Sequence, residues 1–172
     1  MAIILPAGFN AFSAQTSGGM AGSFLNTGTG ARALGMGGAY AGIADDTNSV
    51  YWNPAGLSLV RRDTVSATHI LLYDEFRYDY LGFALPTLNS GDWGAAWMQL
   101  KSPEIEERDE FNAPLGTFFS TTSQAFFLSA GYSPDYDVGA GHTIKAVIKD
   151  GSAANWSLDT GASYSPFDEI KI

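Results

Sequence analysis

From Asp63 onward, apolar and polar residues alternate with a period of two, and the pattern recurs in six segments. Such alternation puts successive side chains on opposite faces of an extended strand and cannot form the stripe of an amphipathic helix. In Thr64–Tyr73, one face holds Val65, Ala67, Leu71 and Tyr73, with His69 as the exception, and the other holds Thr64, Ser66 and Thr68. Ala125–Tyr132 sets Phe126, Leu128, Ala130 and Tyr132 against Ser129 and Gly131. Thr143–Lys149 sets Ile144, Ala146 and Ile148 against Thr143, Lys145 and Lys149. Trp156–Tyr164 sets Trp156, Leu158, Ala162 and Tyr164 against Ser157, Asp159, Gly161 and Ser163. Phe76–Leu85 and Trp93–Leu100 are less regular. Arg77 and Asp79 fall on the face of Leu81, Phe83 and Leu85, so either two charges sit above an apolar band or a bulge flips the register.

The connections suit an up-and-down antiparallel sheet. Asp74-Glu75 reads as a tight hairpin, Thr87–Asp92 as a turn with Asn89, Ser90 and Gly91, and Asp135–Gly141 and Asp150–Asn155 as short links. Lys101–Ser123 reads as a long connection. Three strands end at Leu85-Pro86, Ser133-Pro134 and Ser165-Pro166, and Tyr-Ser-Pro recurs 32 residues apart, the rhythm of a repeating hairpin.

A soluble sandwich also alternates, so the two faces and the composition must decide. Tyr73, Phe76, Tyr78, Tyr80, Trp93, Tyr132, Trp156 and Tyr164 lie near strand ends, where aromatic girdles of membrane barrels lie. The polar face is small rather than densely charged, as a barrel lumen would be, and places Lys145, Lys149 and Asp159 toward that lumen. Charged residues make up 16% of the chain and aromatics 13%, and cysteine is absent. The net charge of −9 argues against nucleic acid as a partner, and the missing cysteine excludes disulfides and thiolate chemistry. No apolar run reaches the ~18–20 residues of a membrane-crossing helix. The expected fold is therefore all-β, an antiparallel up-and-down transmembrane barrel.

Residues 15–62 have another texture, rich in glycine, alanine and small polar groups, with neither alternation nor an amphipathic stripe. Thr29–Ala44 could hold a short helix weakened by Gly35, Gly37 and Gly38. Asp46 or Thr47 could cap a second, ending near Trp52 before Pro54. Residues 1–14 read as the apolar core of a signal peptide without its basic start.

Several motifs carry weaker chemistry. Asp159-Thr160-Gly161-Ala162 matches an aspartic-protease signature, the alternative reading as a soluble enzyme. That chemistry needs a second carboxylate sharing the proton, and only ten residues follow Ala162. Gly28-Thr29-Gly30-Ala31-Arg32-Ala33 mimics a dinucleotide fingerprint but lacks a preceding hydrophobic strand. Glu104, Glu106, Glu107, Asp109 and Glu110 lack the spacing of a calcium loop and read as a solvated face. His69 and His142 stand alone. No catalytic residue, cofactor or metal is expected.

The most specific stretch runs from Gly30 to Leu57. It carries Ala31-Arg32-Ala33-Leu34-Gly35-Met36-Gly37-Gly38-Ala39, then Ala44-Asp45-Asp46, then Tyr51-Trp52-Asn53-Pro54-Ala55-Gly56-Leu57. This closely resembles the N-terminal region of the PorV/PorQ family of outer-membrane proteins, which is similar in turn to the outer-membrane long-chain fatty acid transporters. The resemblance implies a hatch formed by residues 15–62 inside a barrel of about fourteen strands, of which residues 63–172 supply the first six. It implies hatch-structural roles for Asn53, Pro54, Ala55 and Gly56, packed against the inner face of the early strands, with Asp45 and Asp46 in the same motif. It also implies a place in the outer membrane and contact with its lipid. The expected function is transport of hydrophobic compounds or participation in type IX protein secretion, with hydrophobic small molecules or secretion-system proteins as partners. Six strands fall short of the about eight in the smallest single-chain barrels, so an incomplete barrel is expected.

Overall fold

The computed structural model describes residues 22–87, 91–135 and 137–164. The signal-like residues 1–14, residues 15–21, Asn89 and Ser90, and the terminal segment with Ser165-Pro166 lie outside the described residues.

Eight strands are described: β1 (Thr64–Leu71), β2 (Arg77–Leu85), β3 (Asp92–Lys101), β4 (Ile105–Arg108), β5 (Pro114–Phe119), β6 (Thr122–Asp135), β7 (Val138–Lys149) and β8 (Asn155–Tyr164). Six form one antiparallel sheet in the order β1-β2-β3-β6-β7-β8, so each strand pairs with its neighbour along the up-and-down path. β4 and β5 form a separate hairpin, which corrects the reading of residues 101–123 as a plain connection. Two expected strands prove longer: β6 runs to Asp135 and β7 begins at Val138, within the stretch to Gly141 expected as a short link.

β2 keeps an unbroken register with both neighbours, which excludes the bulge. Arg77 and Asp79 therefore face outward with Leu81, Phe83 and Leu85, at one end of the strand. Asp74 and Glu75 both take left-handed backbone, φ 58° and 61°, which is how a two-residue turn matches the twist of its flanking strands.

The outward face is apolar in lateral rows. One row, read across directly paired residues, is Ala67, Leu81, Trp97, Phe126, Ala146 and Trp156. The next is Val65, Phe83, Ala95, Leu128, Ile144 and Leu158. Toward the β4–β5 end the rows turn mostly polar, first His69, Asp79, Gln99 and Gln124 with Ile148, then Leu71 with Arg77, Lys101 and Thr122. Leu81, Phe83, Phe126, Leu128, Ile144, Trp156 and Leu158 are all exposed.

The inward face is covered by the segment before β1. That segment holds two short helices, α1 (Ala31–Gly35) and α2 (Ser49–Trp52), and two 3-10 turns, Ser23–Thr27 and Pro54–Leu59. α1 is shorter than the helix allowed over 29–44, because Gly37 and Gly38 adopt positive φ and unwind the chain. The core lies between segment and sheet, where Val50 and Leu57 meet Tyr78, Tyr80, Met98, Ala125 and Phe127. Tyr78 and Tyr80 thus point inward and are buried, not in an outer girdle, whereas Trp93, Tyr132, Trp156 and Tyr164 are exposed.

Close approach depends on a row of glycines. Gly131, Gly141 and Gly161 are directly paired across β6, β7 and β8. A Cβ at Gly131 would lie 2.8 Å from the Pro54 carbonyl oxygen and from the Leu57 side chain. One at Gly141 would strike the Pro54–Ala55 backbone, and one at Gly161 the Asn53 side chain. Backbone cannot swing aside as a flexible side chain can. Gly141→Leu is expected to displace the 3-10 turn and cost about 1–3 kcal/mol or more, seen as a lower denaturant midpoint. Gly35→Ala is the control: nothing lies within 4 Å of a Cβ there, and stability should hold or rise slightly.

Candidate functional site

Asn53 sits where α2 ends and the 3-10 turn begins. Its own backbone is extended, φ −161° and ψ 104°, because the following Pro54 disfavours helical geometry before it. The side chain makes three bonds. Its Oδ1 accepts from the Ala55 N–H at 3.2 Å, and its Nδ2 donates to the Ala41 carbonyl at 2.9 Å and to the Ala162 carbonyl of β8 at 3.1 Å. One amide thus ties two parts of the inner segment to each other and to the wall. Pro54 opens the 3-10 turn where no N–H is needed. Ser58 Oγ closes it by donating to the Ala55 carbonyl at 2.7 Å. Any side chain at Gly56 would collide with the Ala44 carbonyl and the Ser49 hydroxyl. The four residues pack on β6, β7 and β8 rather than on β1 and β2, so the expected seat on the early strands is corrected to the later strands of the sheet.

The two acids of the motif have separate duties. Asp46 Oδ1 accepts from the Asn48 backbone N–H at 2.8 Å and the Asn48 side-chain amide at 3.0 Å, which opens the turn into α2. Asp45 pairs with Arg32 at 2.5 Å, and the same guanidinium lies 5.3 Å from the centre of the Tyr40 ring. This bond closes the glycine-rich loop back on α1.

The wall supplies hydroxyl donors to the irregular backbone. Tyr78 donates to the Gly28 carbonyl at 2.6 Å and Tyr80 to the Thr47 carbonyl at 3.3 Å. Thr143 and Ser129, 2.6 Å apart, both reach the Val50 carbonyl. Thr47 donates to Ser66 on β1 at 2.6 Å. Within the segment, the Trp52 indole donates to the Thr29 carbonyl at 2.9 Å, and the Tyr51 hydroxyl donates to the Leu25 carbonyl. The tyrosine roles escaped the sequence reading because alternation alone does not say which apolar-looking face is inside.

Lys145 and Asp159 both project to the inner side and form an ion pair. The ammonium lies 5.8 Å from the centre of the Tyr51 ring and 5.5 Å from that of Phe127, so it anchors the wall to α2. Lys149 lies on the same face, toward the β4–β5 end. Asp159, the residue of the protease-like signature, sits opposite Thr143 on a regular strand. Asn53, Pro54 and Asp159 also border an open cleft of about 510 Å³ at the β8 edge.

The remaining motifs fall elsewhere. The fingerprint-like Gly28–Ala33 follows a 3-10 turn where a nucleotide fold needs a strand. The acidic residues lie on and around β4 and β5. There Asp109 Oδ1 accepts from the Phe111 and Ala113 N–H groups at 2.9 and 2.8 Å, Arg108 pairs with Glu106, and Thr117 donates to Glu107. Among the described residues no group of three or more acidic or histidine side chains is assembled to hold a metal. His69, which stood alone in the sequence, pairs with Asp79 at 2.6 Å across β1 and β2. Two residues at directly opposed strand positions carry no sequence signal until the register is known. His142 lies on the outward side of β7, opposite Ala130 and Thr160.

Asn53→Leu keeps the volume and removes all three bonds. It is expected to destabilise the seat by about 1–3 kcal/mol and to speed hydrogen exchange across residues 45–60. Unchanged exchange there would contradict the anchoring role. Alkaline pH offers a second probe. Burial first, and then a hydrogen bond to the Asp46 carboxylate, push the Tyr40 hydroxyl above its ordinary value. A tyrosine raised in this way stabilises the fold below its unfolded value of about 10 and loses that contribution as pH climbs toward the folded value. The segment should therefore hold through neutral pH and loosen only in strong alkali. Trp52, edge-on to Tyr40 at 6.2 Å, reports the change by fluorescence, and Tyr40→Phe should remove part of it.

Comparison of the chain with known protein families, with curated proteins and with solved structures gives no match.

Proposed function

We propose that the sheet is the wall of an outer-membrane β-barrel with residues 15–62 as its hatch. On this reading the protein takes part in passage across that membrane, of hydrophobic compounds or of proteins secreted by the type IX route, rather than in catalysis. The carrying observation is the inverted arrangement of the sheet. Two complete apolar rows face outward across all six strands, while hydroxyl side chains, glycines and a small apolar core face inward and hold an irregular segment. A water-exposed sheet would leave those rows bare, whereas lipid solvates them. Trp156 and Tyr164 end the outward face of β8, as interface aromatics do. In lipid the outer edges of β1 and β8 need partners, which closure into a barrel of about fourteen strands supplies. The resemblance of Gly30–Leu57 to the PorV/PorQ hatch region supports the same reading.

Expression with an outer-membrane-directing signal followed by fractionation tests it. The chain is expected in the outer-membrane fraction, and recovery in the soluble fraction would overturn the proposal. Leu128→Arg, in the middle of an apolar row, should cost about 2–4 kcal/mol of folding into vesicles. Uptake of a hydrophobic compound and capture of secreted cargo then separate the two forms of passage.

A further inference from the structure

A cleft of about 390 Å³ opens at the β4–β5 end of the sheet, separated from the apolar rows by the single polar row of Asp79 and Gln99. Four charged residues line it: Arg77 at the start of β2, Lys101 at the end of β3, Glu75 in the β1–β2 turn and Glu104 before β4. Arg77 and Lys101 are direct cross-strand partners on the outward face, an opposition of like charges that destabilises a sheet unless something answers it. Among the described residues none of the four charges forms an ion pair. Glu75 holds its place with left-handed backbone, φ 61°, where glycine would be unstrained. The floor is firm, because Ser102 Oγ accepts from the Thr121 N–H at 2.8 Å and donates to the Pro103 carbonyl at 2.9 Å.

Two unpaired cations and two unpaired carboxylates around one cleft match a ligand with both signs of charge. The place one polar row past the end of the apolar band, at the depth of lipid headgroups, selects a lipid over a soluble ion. Resting on the membrane reading above, we propose that this cleft binds the headgroup of a phosphoethanolamine lipid. Arg77 and Lys101 take the phosphate, the guanidinium through paired N–H groups, and Glu75 and Glu104 take the primary ammonium. A choline headgroup has no N–H to donate to the carboxylates, and a glycerol headgroup brings a negative charge to them without a cation.

The test uses the full chain reconstituted in vesicles of equal parts phosphatidylethanolamine, phosphatidylcholine and phosphatidylglycerol, then extracted gently for mass spectrometry of the retained lipid. Several-fold enrichment of phosphatidylethanolamine is expected. Arg77→Gln with Lys101→Gln should abolish the enrichment, and Glu75→Gln with Glu104→Gln should shift it toward phosphatidylglycerol. Soluble glycerophosphoethanolamine should not compete, and equal competition would overturn the assignment to lipid. Insertion with no enrichment, or with the same lipid profile in all three proteins, overturns the site while leaving the membrane reading intact. Failure to insert into any vesicle overturns both.

Discussion

A chain without regular structure, enclosed against a β-sheet, must find partners for its carbonyl groups, and most of this structure follows from that demand. Bare carbonyls away from water are costly. Here the sheet answers with hydroxyls aimed from four strands, Tyr78 and Tyr80 from β2, Ser129 from β6 and Thr143 from β7, with Ser66 of β1 taking the Thr47 hydroxyl. These hydroxyls are set among the apolar core that Met98, Ala125 and Phe127 build on the same inward face with Val50 and Leu57. The outward rows of the same strands carry apolar residues without any such hydroxyls, so the two faces differ in polarity because only the inner one meets an irregular backbone.

The glycines and Asn53 solve the complementary steric problem. Hydroxyl reach is short, so segment and wall must nearly touch. Gly131, Gly141 and Gly161 remove side chains along one lateral line, and the Asn53-Pro54-Ala55 backbone fills the space. Asn53 adds the bond to the Ala162 carbonyl that holds the segment to the edge strand.

Much of this was legible in the residues. Alternation from residue 63 placed all six strands of the main sheet and divided the faces of β1, β6, β7 and β8, because a period of two has a direct geometric meaning, while the register of β2 stayed open between a bulge and two charges above an apolar band. The break at Pro54 and the turn at Asp74-Glu75 were legible from backbone restriction alone. The hairpin β4–β5 was not: Glu104 to Glu110 show no clean alternation, and the two strands are short and mostly exposed. The inward turn of Tyr78 and Tyr80 was hidden because tyrosine suits an interface girdle and a buried hydrogen bond equally well. For the candidate site, Asn53 to Gly56 stood out in the sequence as one motif, yet their seat on β6 to β8 depends on register across strands over a hundred residues away in one case. The glycines of those strands looked like ordinary members of a polar face until their alignment was seen.

That alignment also gives the assembly a direction. A line of missing side chains running across the strands acts as a rail. Movement of the Asn53–Ala55 turn along the strands toward the β4–β5 end would drive it into Ser129, Thr143 and Asp159 in the neighbouring inward row, while movement across them toward β8 follows the backbone of Gly141 and Gly161. The stiffness of the seat is thus unequal in two perpendicular directions, and the compliant one leads toward the open edge of β8. A single amide, that of Asn53, acts as the brake on that path.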